Sequence, residues 1–381
     1  MDEQIGILPE FKTLAIGYTR ELVRRNSENP PGNELEVASY IAAELQQIGF
    51  DVEFDEFESK RCNVVATYGD KNNIGIIFQG HMDVVPATGD WTYEKFSAKI
   101  LDGRMFGRGT CDMKGGVAAA MAAGAAAVKS GKTLKKGLQL VFVSDEESCN
   151  KGVLHLISKG GFKSDAAVIC EPTGLAVLLG NKGYSSFYVK TLGISCHASQ
   201  PERGENAIYK MAKVIKKLEA YSTEISKKNS KHLGNATLSV GTIKGGSRIN
   251  VVPDECVCEV ERRLLAGETC ENVLEQLREL VGDLAEVTVR AHTTPPSLIE
   301  ETHPLVLHTS SIVSEVLGET PKIGVFTGGT EAAFISQYGI PTIILGPGNL
   351  LQAHSVDEYV EVSQIENCTD IYYRLINSLL L

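Results

Sequence analysis

Leu138-Gln139-Leu140-Val141-Phe142-Val143 runs directly into Ser144-Asp145-Glu146-Glu147. A short apolar run rich in branched and aromatic residues predicts a buried strand. Glu146 and Glu147 should then emerge together at its C-terminal end, where α/β sheets carry their chemistry. Two adjacent carboxylates repel unless something positive holds them. The same placement recurs along the chain. His81 and Asp83, in GHMDVVP, follow Gly75-Ile76-Ile77-Phe78-Gln79. Glu171 closes Ala166-Ala167-Val168-Ile169-Cys170, and His354 comes after Thr342-Ile343-Ile344-Leu345-Gly346. Asp112 stands in GRGTCDMKGG, ahead of an Ala-rich helical stretch from Lys114 to Lys129. One such residue is ordinary. His, Asp, Glu, Glu and His together suggest ligands for a pair of divalent metal ions.

Working outward, helical stretches alternate with short apolar strands up to about Gly180. Leu8 to Arg25 has helix spacing, Asn29-Pro30-Pro31-Gly32 breaks it, and Leu35 to Ile48 resumes a helix that Gly49 stops. This alternation predicts an α/β fold with a mostly parallel sheet and helices on both faces. Between Asn181 and His292 the order changes. Strand (Ser185 to Leu192), helix (Asn206 to Tyr221), two strands (Ala236 to Thr242, Glu255 to Leu264), helix (Cys270 to Val281) and strand (Ala285 to His292) spell βαββαβ, a ferredoxin-like unit. From Pro295 the first pattern returns. The expected plan is a catalytic domain in two parts, 1–180 and 294–381, interrupted by a small domain at 181–293. His354 must then come back in space to meet His81.

Composition fits that plan. The 381 residues exceed one typical core, and 43% hydrophobic with 22% charged content is globular. A net charge of -11 argues against a nucleic-acid or anionic-membrane surface. Nine scattered cysteines (62, 111, 149, 170, 196, 256, 258, 270 and 368) contain no Cys-x-x-Cys pair, and read as reduced thiols of a cytoplasmic protein. MDEQIGILPEF has early acids and no long apolar core, so no signal peptide is expected, nor any membrane span.

The ligand set has an internal logic. A metal-bound imidazole needs a partner for its second nitrogen, which Asp83 could supply. Asp112 could bridge two ions about 3.5–4 Å apart. If Glu147 and His354 serve one ion while His81 and Glu171 serve the other, Glu146 is left over, free to act as general base and later as acid. Imidazole and carboxylate donors without thiolate favour Zn, Co or Mn. Each residue also has a plainer reading: a structural histidine, a solvated acidic loop, a helix cap for Asp112. Those readings must hold at five positions at once. GRGTCD begins like a dinucleotide-binding loop but has Asp112 at its sixth position. Cys256 and Cys258 share one strand face and should pack in a core.

On these motifs, from NPPG through GHMDVVP, GRGTCDMKGG, DEE and CEPT to LGPGNLLQAHSVDEYV, the whole chain resembles the dinuclear zinc amidohydrolases that include acetylornithine deacetylase, succinyl-diaminopimelate desuccinylase and carboxypeptidase G. The resemblance implies His81, Asp112, Glu147, Glu171 and His354 as metal ligands, Glu146 as catalytic base and Asp83 as the residue behind His81. It also implies a cis peptide between Asp112 and Met113. In the inserted domain, His197 of SCHASQPERGENAI resembles a lid histidine that reaches into the partner's active site across a homodimer and stabilises an oxyanion. Asn250 in RINVVP and Arg263 in ERRLLAGE resemble substrate-binding positions, with strand alternation deciding between Arg262 and Arg263; Gly328, Gly329 and Thr330 in FTGGTEAAF would face the ligand, with Glu331 beside them. The activity implied by the resemblance is hydrolysis of an N-acyl amino acid, with N-acetylornithine first and a desuccinylase, aminoacylase, dipeptidase or carboxypeptidase role as alternatives. A non-catalytic binding homologue would normally lose a ligand or the base, and all six residues are present.

Overall fold

The computed structural model describes residues 6–290 and 293–381. The ends of two expectations, the N-terminal segment through Ile5 and the strand tail at Ala291 and His292, lie outside the described residues. The chain divides into two compact units. The larger holds the described residues up to Gly180 together with Leu298–Phe326 and Thr330–Leu381; the smaller holds Asn181–Ser297 and Thr327–Gly329. The second crossing falls at Ser297 rather than after Thr293, because Tyr184 and Thr294 exchange main-chain hydrogen bonds of 2.8 and 3.0 Å that keep this stretch with the small unit.

The larger unit is built on a nine-stranded sheet. At its centre, Gly137–Val143, Ile74–His81, Ala167–Ile169 and Thr342–Ile344 lie side by side and parallel. Asp51–Glu58 and Arg61–Tyr68 extend one side antiparallel, and Val177–Asn181 pairs antiparallel on the other. All eight residues of Ile74–His81 are buried, as a strand covered on both faces requires. Its side chains alternate between two apolar layers. Ile76 and Phe78 join Leu138, Leu140 and Phe142 beneath the helices Pro9–Arg24, Leu35–Ile48, Gly115–Lys129 and Val362–Leu380. Ile77 joins Val141, Val143 and Ile169 beneath the helices that carry Val153 and Phe334.

The Ala-rich helix Gly115–Lys129 shows why its sequence is so small-sided. Thirteen of its residues, Gly115 to Ala127, are buried, so bulk on any face would collide. A Cβ at Gly116 would stand 2.1 Å from the carbonyl oxygen of Cys170, within backbone that cannot yield. That contact presses the helix start against the strand leading to Glu171. Leu35–Ile48 buries Val37, Ala38, Ile41, Ala42 and Leu45 at helical spacing. It ends at Gly49, whose φ of 112° lets its N–H return to the carbonyls of Leu45 and Gln46.

The smaller unit has strand order Thr237–Gly245, Glu255–Leu264, Gly183–Leu192, Glu286–Val289, with every neighbour antiparallel. Helices Ala207–Ile225 and Cys270–Val281 complete the βαββαβ order. Cys256 and Cys258 both face the core, and all nine cysteines are free. Among the described residues, no helix is long and apolar enough to cross a membrane.

Candidate metal centre

His81 ends the strand Ile74–His81, and Ser144 to Glu147 follow its parallel neighbour Gly137–Val143. The two C-terminal ends are locked together by Met82 N–H donating to Val143 O at 2.8 Å. Asp112 arrives on the turn before the Ala-rich helix, with a cis peptide to Met113. Lys114 occupies the cap position of that helix, so Asp112 does not cap it.

Asp112 stands at the middle of the cluster. Its Oδ1 is 3.1 Å from His81 Nε2 and its Oδ2 is 3.4 Å from His354 Nε2. Glu147 approaches His354 Nε2 at 3.1 Å. Two donors on one tetrahedral ion with bonds of about 2.0 Å lie about 3.3 Å apart, so these pairs have the spacing of atoms that share an ion. One donor atom each from His81, Asp112 and Glu147 fits within 4.8 Å. Glu171 Oε1 is 3.8 Å and Glu146 Oε2 4.0 Å from His81 Nε2. The structure thus gathers all five expected ligands and Glu146, with a different histidine on each oxygen of Asp112.

Charge tells the same story. Four carboxylates share two imidazoles here. Burial first, and then the charge of Glu147, drive the Glu146 pKa well above the ordinary carboxylate value; burial and Asp112 do the same to Glu171. Burial and Asp112 also raise Glu147. Burial opposes a charge on His81, but its bond to Asp112 and the charges of Glu146 and Glu171 outweigh that and raise it. Bonds to Asp112 and Glu147 raise His354 to about 10. A cluster that must hold protons to limit its own repulsion is short of positive charge, and divalent cations supply it.

Asp83 does not act on His81 in the way the sequence suggests. His81 Nδ1 makes its 2.9 Å hydrogen bond to the Asp83 main-chain oxygen, while the nearer carboxylate oxygen is 3.8 Å away. The carboxylate instead accepts the N–H groups of Glu146 and Glu147 at 3.1 and 3.2 Å, and the Asn29 amide at 2.8 Å. Its side chain therefore aims the two glutamates. The physical reason is that a turning backbone leaves N–H groups needing acceptors, and a buried carboxylate fills that need.

Further buried charges surround this core, and sequence reasoning gave no role to Asp145, Arg61 or Glu34 among them. Asp145, in a left-handed conformation with φ 73°, accepts from Asn29 at 2.9 Å and from Arg61 at 2.6 Å. Arg61 is buried and also pairs with Glu34 at 2.9 Å. A charged residue opening the otherwise uncharged, largely buried strand Arg61–Tyr68 was the one visible signal for it. Glu331 is buried, takes a hydrogen bond from the Gln79 amide, and is pushed up to about 8 by burial.

The remaining expected site residues fall in two places. Thr330 belongs to the large unit and is buried, its hydroxyl accepting from Ala332 N–H at 3.2 Å. His197, Asn250, Arg263 and Gly329 belong to the small unit. His197 Nδ1 stands 2.7 Å from the Ser199 hydroxyl and 3.2 Å from the Ser199 main-chain nitrogen. Alternation separates the two arginines. Arg262 is fully buried on Glu268 at 2.6 Å, whereas Arg263 is partly exposed, bonded to Glu261 at 2.8 Å over the Tyr184 ring.

The peptidase family M20/M25/M40 model matches residues 77–378. An acetylornithine deacetylase from Myxococcus xanthus is 30% identical over 352 residues, covering 88% of this chain and 90% of its own length. A succinyl-diaminopimelate desuccinylase from Gluconacetobacter diazotrophicus is 30% identical over an alignment of 399, covering 98% and 99%. Among solved structures, aminopeptidase PepT from Bacillus cereus has a TM-score of 0.79 at 22% identity, over 97% of this chain and 98% of that one, a likeness of fold.

Proposed function

Because the chain belongs to peptidase family M20/M25/M40, a family of metal-dependent peptidases and amidohydrolases, we propose that it hydrolyses the amide of an N-acyl amino acid, N-acetylornithine first among candidates. The observation that carries this reading is Asp112, set between two histidines with three more carboxylates around it. The donor set suits two ions: Glu147 and His354 would hold one, His81 and Glu171 the other, and Asp112, between the two histidines, would serve both. Zinc is the first choice, and cobalt or manganese fit the same donors. When bound, the ions would polarise the scissile carbonyl and acidify a water molecule.

The protein's own groups divide the remaining work. Glu146, positioned through its main-chain N–H by Asp83, takes the proton from the attacking water and passes it to the leaving amine. The His197 imidazole donates to the oxyanion that develops on the carbonyl. Arg263, Asn250 and the Gly329–Thr330 turn are assigned to the amino-acid portion, the guanidinium of Arg263 suiting a carboxylate. A homodimer is proposed as the working form: Thr237–Gly245 lies at an edge of the small sheet with its outer side unpaired in that sheet, and Ile243 is 54% exposed there, so a second copy can pair with the edge.

Relatives with different acyl groups in their names are equally similar, so the substrate is tested directly. Acid release would be measured on N-acetyl, N-succinyl and N-formyl amino acids and on dipeptides, with zinc or cobalt added. The expected result is highest kcat/KM on N-acetylornithine. A tenfold preference for N-succinyl or dipeptide substrates overturns that choice, and no release from any of them overturns the amidohydrolase reading.

A further inference from the structure

The turn that delivers Asp112 is held by a residue that neither the sequence motifs nor the proposed chemistry assigns. Around Gly109, whose φ is 84°, the main chain points the N–H groups of Gly109, Cys111 and Asp112 toward one spot. Successive N–H groups on such a turn form a concavity that attracts an anion. Here the anion is the chain's own. Glu358 Oε1 accepts all three, at 3.0, 2.9 and 3.1 Å, and its Oε2 takes the Arg108 guanidinium. The Glu358 side chain is fully buried, and its main-chain oxygen accepts the Gly107 N–H at 2.9 Å. Glu358 also lies four residues beyond His354, the ligand that meets Asp112 Oδ2 at 3.4 Å.

The segment between them is tied through Asp357. Asp357 accepts the Thr92 N–H at 2.8 Å and its hydroxyl at 2.7 Å, and both His354 and Asp357 have left-handed backbones, with φ 60° and 54°. Such conformations persist in non-glycine residues only where surrounding contacts enforce them. One short stretch therefore presents His354 to the centre and, through Glu358, fixes the backbone of the shared ligand opposite.

We propose that Glu358 is a positioning residue that presets the separation of Asp112 and His354 before any ion arrives. Its carboxylate orders the Asp112 turn, and the connecting segment hands that order to His354. The proposal rests on the metal-centre reading. It predicts that changes at Glu358 are felt as weakened metal binding rather than only as lower stability.

The test is cobalt titration of chelator-treated protein, followed by calorimetry and by visible absorbance, well below the melting temperature of each variant. Wild-type protein should take up two ions. Glu358→Gln, which keeps one acceptor but loses the charge, should bind at least one ion about 10–100-fold more weakly, the usual effect of removing a group that supports a ligand. Its saturated absorbance should differ from wild type, and kcat should fall more than KM rises. Glu358→Asp, retaining the charge on a shorter arm, should recover part of the affinity. A folded Glu358→Gln protein with wild-type affinities and absorbance overturns the proposal. If Glu358→Gln does not fold, Glu358→Asp decides by the same titration, wild-type affinity again overturning it. Wild-type protein that binds no cobalt would instead sink the metal-centre reading itself.

Discussion

Exchanging a single carboxylate oxygen for an amide at Glu146 separates the base from the ligands. Glu146 Oε2 stands 4.0 Å from the nearest histidine nitrogen, whereas Glu147 lies 3.1 Å from His354. The main-chain N–H groups of both are held by Asp83, so Glu146→Gln should leave the turn in place. What vanishes is the capacity to take a proton from water and return it to the amine. Positioned acid–base catalysis contributes roughly 10²–10⁴-fold, so kcat should fall by that factor. At about 1.36 kcal/mol per tenfold, the barrier rises by roughly 3–5 kcal/mol. Metal content should stay at two ions and KM should change little. Glu147→Gln should do the reverse, losing at least one ion. The assay pairs elemental analysis of both variants, purified without chelator, with initial rates on the best N-acyl substrate. Loss of metal in Glu146→Gln, with two ions retained in Glu147→Gln, would show that the two roles had been exchanged.

Arg61, His354 and His197 each carry a further expectation. Arg61→Met leaves Asp145 and Glu34 without their cation inside the fold and should cost about 3–5 kcal/mol in urea unfolding, a loss below about 1 kcal/mol refuting the importance of that pairing. In the metal-free protein His354, raised to about 10, carries a proton at pH 7 that a metal-bound ring must give up. Metal binding should therefore release protons, and apparent affinity should climb as pH rises from 7 toward 10; binding heats that do not vary with buffer ionisation enthalpy would contradict this. If His197 acts across a homodimer, mixing inactive His197→Ala and Glu146→Ala proteins should restore activity, because one site of the mixed dimer escapes both lesions. Exchanged subunits with no activity beyond the parents would place His197 within its own subunit's site.

The parts of the site that were legible in the sequence are those tied to local pattern. Apolar runs marked the central strands, and the residues just beyond them were therefore placed at one edge of a sheet. Leu35–Ile48, Glu255–Leu264 and Cys270–Val281 have the bounds that periodicity suggests. The helix after Asn206 runs on to Ile225 because helical spacing of apolar residues continues past Tyr221 through a polar surface. The supporting groups were not legible. Asp145 meets Arg61 across 84 positions and Glu358 meets Asp112 across 246, and no local spacing encodes either encounter. The two acids near Arg61, and Glu358 that binds the Asp112 turn, look in sequence like ordinary surface charges. Only the folded packing removes them from water and makes each one's partner decisive. Asp83 illustrates the same limit at short range, since its position was evident and the direction of its side chain was not.

The chain leaves the large sheet on Val177–Asn181 and rejoins it on Ser297–Leu298, the strand next to it. To the large unit, residues 182–296 are a loop closing on its own stem. Closure entropy grows only logarithmically, so this detour costs the large unit about 2 kcal/mol more than a ten-residue turn would. A penalty that small makes the junction a natural grafting point. What hangs there can be lengthened or trimmed at small entropic cost to the large unit, while the central strand ends keep their spacing.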